Sequence, residues 1–199
     1  MSKSALVTID MHRGHLDPTV ATLALPQERV TQLMTDVVPF VARMRTLGMP
    51  IIHVVTEYRD GVESLGNPFW RRHHDDPSSS RKQMTRHNIV GGPGTEIMAE
   101  LYDAGDWVVR GKKRYDAFWQ TDLDFLLSSH GIEQIYLIGV NTNSCILATA
   151  VAANVRDFDV TVVREGVSTM DDWGLHLASL SLVETAFGRV VGIDEISGH

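Results

Sequence analysis

With 199 residues, 43% of them apolar, and a formal net charge of −7, the chain has the material for one globular domain with a substantial core. The charge gives no attraction to phosphate backbones or anionic lipid surfaces, and no apolar run approaches the roughly 20 residues that span a bilayer, so nucleic acid and membrane are not expected partners. Residues 1–10 do not resemble a secretory leader, and the lone cysteine, Cys145, suits a reducing compartment with no disulfide framework, so a soluble cytoplasmic protein is expected.

Short runs rich in Val and Ile alternate with amphipathic stretches, the pattern of a parallel sheet covered by helices. In chain order, strands are predicted at 5–9, 50–56, 106–109, 134–140, 159–163 and 189–193, with helices at about 28–47, 95–104, 121–130, 143–156 and 173–187. Gly48 and Gly131 stand where C-caps would close the first and third helices. The stretch 59–94 breaks the rhythm with Gly, Pro, Ser and His, and a surface excursion of that length is more often a lid or an interface arm than an idle connection. The expected fold is a single α/β domain over residues 1–199, three-layered α/β/α around a mostly parallel six-stranded Rossmann-like sheet.

In such sheets reactive groups gather beyond the carboxyl ends of the strands. Asp10 follows the first strand, Lys112 the third, and Cys145 lies just past the fourth at the start of a helix. There, unpaired N–H groups and the macrodipole favour thiolate over thiol. Each residue also has a plain structural reading: Cys145 as a small core residue, Asp10 as a turn or cap residue, Lys112 as a solvated strand-end lysine. The adjacent pair His73-His74 reads as a solvated loop pair, since neighbours in sequence rarely face one ion. Gly91-Gly92-Pro93-Gly94-Thr95-Glu96 lacks the spacing of a phosphate loop, and no G-x-S-x-G elbow is present.

Three segments taken together carry more than any residue alone. Leu6-Val7-Thr8-Ile9-Asp10-Met11, Lys112-Lys113-Arg114-Tyr115-Asp116-Ala117-Phe118 and Gly139-Val140-Asn141-Thr142-Asn143-Ser144-Cys145 resemble, in order, the first strand, the K-x-R-[YF]-x-A-F motif and the G-[VI]-x-T-x-x-C signature of the isochorismatase-like cysteine hydrolases. That superfamily includes nicotinamidases, N-carbamoylsarcosine amidase and biuret hydrolases. Counting back from Phe118 aligns the family lysine with Lys112 rather than Lys113.

The resemblance implies hydrolysis of a small-molecule amide or carbamoyl compound through a thioester on Cys145. Asp10 would act as base, Lys112 as the cation, and the backbone N–H groups of Asn141 and Cys145 as the oxyanion hole. It further implies a cis peptide between Val140 and Asn141, with Thr142 either bracing that turn or capping the helix. Phe118 and Trp119 would face the substrate, Trp70 would close over the pocket from the same or a neighbouring subunit, and core packing is the competing role for both tryptophans. A homo-oligomer, dimer or tetramer, is expected. Nicotinamidases place Asp-x-His and a second His as metal ligands after the second strand; this chain has Thr56-Glu57-Tyr58-Arg59, so neither metal nor cofactor is expected. Glu57 and Arg59 would orient a polar substrate or form surface ion pairs. The competing functions are a vinyl-ether hydrolase of the isochorismatase kind, whose members generally lack the cysteine, and a catalytically idle binding member of the fold.

Overall fold

The first strand, β1 (Lys3–Ile9), carries Ala5, Leu6, Val7 and Ile9, all fully buried, and a strand apolar toward both faces requires cover on both. The computed structural model describes residues 3–196; residues 1–2 and 197–199 of the expected domain lie outside the described residues. β1 pairs in parallel with β2 (Ile51–Thr56) and β4 (Ile132–Val140), while β3 (Trp107–Lys112), β5 (Asp159–Ser168) and β6 (Arg189–Val191) complete a six-stranded parallel sheet of order β3-β2-β1-β4-β5-β6. The helices are α1 (Arg13–Leu16), α2 (Gln27–Thr46), α3 (Gly61–Leu65), α4 (Pro68–Asp75), α5 (Leu123–Ser129), α6 (Leu147–Asn154) and α7 (Trp173–Leu182).

Strand periodicity divides the core. Leu6 and Ile138 face the stripe of Val30, Leu33, Val37, Phe40, Val41 and Met44 on α2, whose three- and four-residue spacing keeps them on one helix face. Ala5, Val7, Ile9 and Leu137 face the other way, toward Leu123, Leu127, Ala150, Ala153 and Leu180 of α5, α6 and α7. Helices α2 and α5 stop at Gly48 and Gly131, at φ of 78° and 65°, as their sequence positions predict. None of the described helices is long and apolar enough to cross a membrane.

The chain runs outward from β1 through β2 to β3 and then returns to lay β4 along the other side of β1. The crevice between the carboxyl ends of β1 and β4 is therefore the topological switch point, where such sheets bind ligands. At its floor Gly139 adopts a φ of 129°, and a Cβ there would sit 2.0 Å from the carbonyl oxygen of Ile9. Only glycine lets β4 approach β1 this closely.

Several predicted elements differ. No helix forms at 95–104: the backbone hydrogen bonds of this segment go to the loop after β1, with Ile97 bridging His12, Met98 N–H donating to Met11 and Glu96 accepting from Arg13. The helix-like spacing of Ile97, Met98 and Leu101 serves instead to bury Leu101. Strand β5 runs past 163 to Ser168, because the exposed Arg164-Glu165 forms an irregularity after which Val167 and Ser168 rejoin β4. The helix predicted over 143–156 begins as a single π turn, Thr142–Ile146, and that over 173–187 ends in another, Val183–Phe187. Within 59–94 the structure places α3, α4 and a short turn at Met84–Arg86. Trp70 and Met84 from this segment pack with Leu23 and Tyr58 as a small core of their own.

Candidate active site

Three strand ends bring the site together. Asp10 follows β1 at a φ of 55°, a left-handed conformation that aspartate tolerates better than most residues. Lys112 closes β3 after an irregularity that sets Thr56 opposite Lys112, with Gly111 at φ 80°. The extra β3 residue at this bulge re-aims the lysine toward β1. Cys145 sits in the π turn after β4.

Asp10, Lys112 and Cys145 are 1%, 1% and 6% exposed. The Lys112 ammonium donates to Asp10 Oδ2 at 2.6 Å, Thr56 Oγ1 at 2.9 Å and Cys145 Sγ at 3.2 Å, which engages all three of its hydrogens. Thr56 donates its N–H and its hydroxyl to Asp10 Oδ1, at 3.0 and 2.7 Å. The carboxylate thus accepts three hydrogen bonds, one of them charge-assisted. Lys113 turns away and donates to the carbonyl of Glu57.

The electrostatics follow from burial and pairing. Burial works to raise the Asp10 pKa, but Lys112, with His12 and His15 behind it, holds the carboxyl well below its ordinary value. Burial works to lower that of Lys112, and Asp10 outweighs it, so the ammonium is held above its usual range. Burial pushes the Cys145 thiol up to about 12, with Lys112 opposing. This corrects the expectation of a standing thiolate. The lysine charge is already matched by a carboxylate closer to it than the sulfur is, so burial decides the protonation of the thiol.

A small cavity opens onto these groups, and its walls include Tyr58, Trp70, Arg81, His15, His87 and Tyr115. Trp70 comes from α4 of the same chain and meets Tyr115 edge-on at 5.3 Å. Phe118 and Trp119 are not among its lining residues. Phe118 N–H donates to Asp116 in a tight turn, and the ring stacks on Phe158 in the core. Trp119 is 42% exposed, with Arg114 over its face. Tyr115 takes the cavity-facing place. Glu57 pairs with Arg110 and Arg59 with Glu63, so both make ion pairs elsewhere.

The peptide between Val140 and Asn141 is cis. Asn141 lines the cavity, and its side-chain Oδ1 accepts from the Met170 N–H at 2.8 Å. Thr142 does brace the turn: its hydroxyl meets His176 Nδ1 of α7 at 2.9 Å.

His73 and His74 engage Ser79 and the Lys82 carbonyl separately. A cluster the sequence did not single out is Asp10, His12 and His15, with ligand-type atoms within 4.8 Å of one another. Its donors do not suit a divalent cation: Asp10 Oδ1 already accepts two hydrogens from Thr56, Asn88 Nδ2 lies 3.0 Å from His12 Nε2, and the Lys112 ammonium neutralises the carboxylate. Arg81 and His87 were also missed, since they come from the aperiodic excursion and reach the cavity only through folding. Arg81 is anchored by Asp171 at 2.5 Å.

A parallel α/β sheet with a thiol, a carboxylate and an ammonium packed at its switch point defines the framework of an α/β enzyme. The family model described as the isochorismatase domain matches residues 4–195, and the chain belongs to that family. It is similar to the ureidoacrylate amidohydrolase RutB of Variovorax paradoxus (strain S110), 25% identical over 98% of this chain and 80% of the relative. The solved N-carbamoylsarcosine amidase of Thermoplasma acidophilum is 26% identical, with a TM-score of 0.75 over 98% of this chain and 99% of that one. A cysteine hydrolase from Pseudomonas syringae pv. phaseolicola 1448A shares the fold, with a TM-score of 0.84 over 97% of this chain and 90% of that chain at 20% identity.

Proposed function

We propose that this chain cleaves the C–N bond of a small amide or carbamoyl compound through a thioester on Cys145. That it is a hydrolase acting on carbon–nitrogen bonds other than peptide bonds, with a small-molecule substrate, follows from its family and amidohydrolase relatives; the mechanism is the proposal. The observation that carries it is the buried Lys112 ammonium, 2.6 Å from the Asp10 carboxylate and 3.2 Å from the Cys145 sulfur at one side of a cavity.

Because the resting thiol is protonated, Asp10 removes its proton as the sulfur attacks the carbonyl. The backbone N–H groups of Asn141 and Cys145 receive the developing oxyanion. The tetrahedral intermediate collapses, the leaving nitrogen takes the proton held by Asp10, and water activated by the same carboxylate hydrolyses the thioester. Lys112 favours the ionised form of Asp10 before the attack and again once the leaving nitrogen has taken the proton. Trp70 walls the acyl group, and the site works without metal or cofactor. Vinyl-ether hydrolysis would leave the buried sulfur without a task. The chain acts in the cytoplasm, without nucleic-acid or membrane partners, as a homo-oligomer, dimer or tetramer; Trp173 and Leu177, one turn apart on α7, are 43% and 56% exposed, which suits an interface.

The test is ammonia release from a panel of small amides and ureides. Cys145→Ala is expected to lower turnover on the order of 10³-fold or more, and mass spectrometry of the wild type at steady state to find an acyl adduct on Cys145. Full turnover by the alanine variant refutes the mechanism.

A further inference from the structure

We propose that His15 selects an unsubstituted nitrogen as the leaving group, its Nε2 accepting an N–H of the scissile NH2 and holding that nitrogen beside Asp10. This specificity role rests on the amidohydrolase reading above.

His15 lies on α1, is 4% exposed and lines the cavity together with Asp10, Lys112 and Cys145. Its Nδ1 is 2.7 Å from the Leu23 carbonyl. A carbonyl only accepts, so Nδ1 carries the hydrogen, and in the neutral ring Nε2 is a bare lone pair. Neutrality is enforced by the surroundings: the ring is buried, with His12 and His87 centroids 5.1 and 5.0 Å away. The polar side-chain atoms sealed from solvent without a partner, among the described residues, are His12 Nδ1, Asn88 Oδ1, Ser144 Oγ and Thr161 Oγ1. His15 Nε2 is not one of them and has no hydrogen-bond partner among the described residues, and the residue it belongs to lines the cavity.

A ring nitrogen of His15 lies within 4.8 Å of an Asp10 carboxylate oxygen, and the two residues line the same cavity. A departing NH2 needs both. The C–N bond breaks with its electron pair going to nitrogen, which takes the proton that Asp10 received from the thiol, and ammonia leaves. Throughout, His15 accepts a hydrogen bond and exchanges no proton. An N-alkyl substituent directed at His15 would meet the lone pair with a methyl group, and an ester oxygen has no hydrogen to offer. Sites built to receive a hydrogen discriminate strongly against analogues that lack it.

The experiment compares kcat/KM for the best amide of the panel, for its N-methyl derivative and for p-nitrophenyl acetate, whose leaving group carries no N–H and needs no proton. His15→Phe is expected to lower the amide-to-ester ratio about 10- to 100-fold. His15→Gln, which loses the Leu23 contact yet offers an acceptor, is expected to recover most of that ratio. The wild type is expected to prefer the parent amide over the N-methyl form by at least tenfold. An unchanged ratio in the Phe variant, a Gln variant no better than Phe, or equal wild-type rates on the two amides overturns the inference. Should the Phe variant not fold, the Gln variant and the wild-type comparison decide it. A wild type that releases ammonia from no amide removes the amidohydrolase reading, and this inference with it, which is a different result from any of these.

Discussion

Replacing Lys112 by methionine removes the cation from a carboxylate that is 1% exposed and leaves its volume nearly filled. The partners sit 2.6 Å apart, so the loss is that of breaking a buried ion pair, about 3–5 kcal/mol, most of it the cost of an uncompensated buried charge. For a domain of this size that lowers Tm by about 6–20 °C. The double variant Asp10→Asn/Lys112→Met is expected to regain more than half of the loss, since the asparagine carbonyl can still accept from Thr56 N–H and Oγ1. The pH dependence reverses as well. In the wild type the Asp10 pKa is depressed, so its stabilisation is present above the unfolded value and is lost as pH falls through the folded one. Without Lys112 burial prevails and the folded pKa rises, so the stabilisation is full below the unfolded value and is lost as pH rises through the folded one. Urea unfolding of wild type, single and double variants at pH 7 and pH 4 measures both effects. A single variant within 1 kcal/mol of wild type at pH 7, or a double variant no more stable than the single, refutes the reasoning.

With the thiol pushed up to about 12, alkylation of Cys145 by iodoacetamide in the substrate-free protein is expected to keep rising through the alkaline range; a plateau reached below pH 8 would show a standing thiolate. Gly139→Ala, whose new carbon would lie 2.0 Å from the Ile9 carbonyl, is expected to lose about 3 kcal/mol or more in urea unfolding, or to fail to fold, and a loss under 1 kcal/mol would refute the close-approach argument. Burial, with the charge of His12 adding to it, lowers the His15 pKa from 6.5 to about 4. Because the unfolded chain binds this proton first, stability should fall by about 3 kcal/mol as pH drops from 6.5 to 4, and His15→Gln should flatten that slope. Parallel slopes in the two proteins would count against the neutral buried ring.

Much of this architecture is legible along the chain, because strands buried on both faces demand unbroken apolar runs and the α2 stripe repeats at three and four residues. Asp10, Lys112 and Cys145 could be named because each directly follows such a run or motif. The helix predicted at 95–104 shows the limit. Its apolar spacing is real, yet its N–H and C=O groups find partners on the loop after β1, a choice that local pattern does not reveal. Phe118 was placed at the substrate by its motif, but the turn at Asp116 sends it into the core and leaves Tyr115 at the cavity.

The sheet, the helices on its faces and the three polar residues at its strand ends depend on period and order along the chain, and so can be read from it directly. What those residues are to one another emerges with the packed fold. Burial pushes the Cys145 thiol up while Lys112 opposes it from beside Asp10, and Thr56, His15, His87 and Arg81 join the site from segments with no shared local signal. Proton affinity and hydrogen-bond role depend on distances of a few ångströms and on exclusion of water, and both arise when remote parts of the chain pack together.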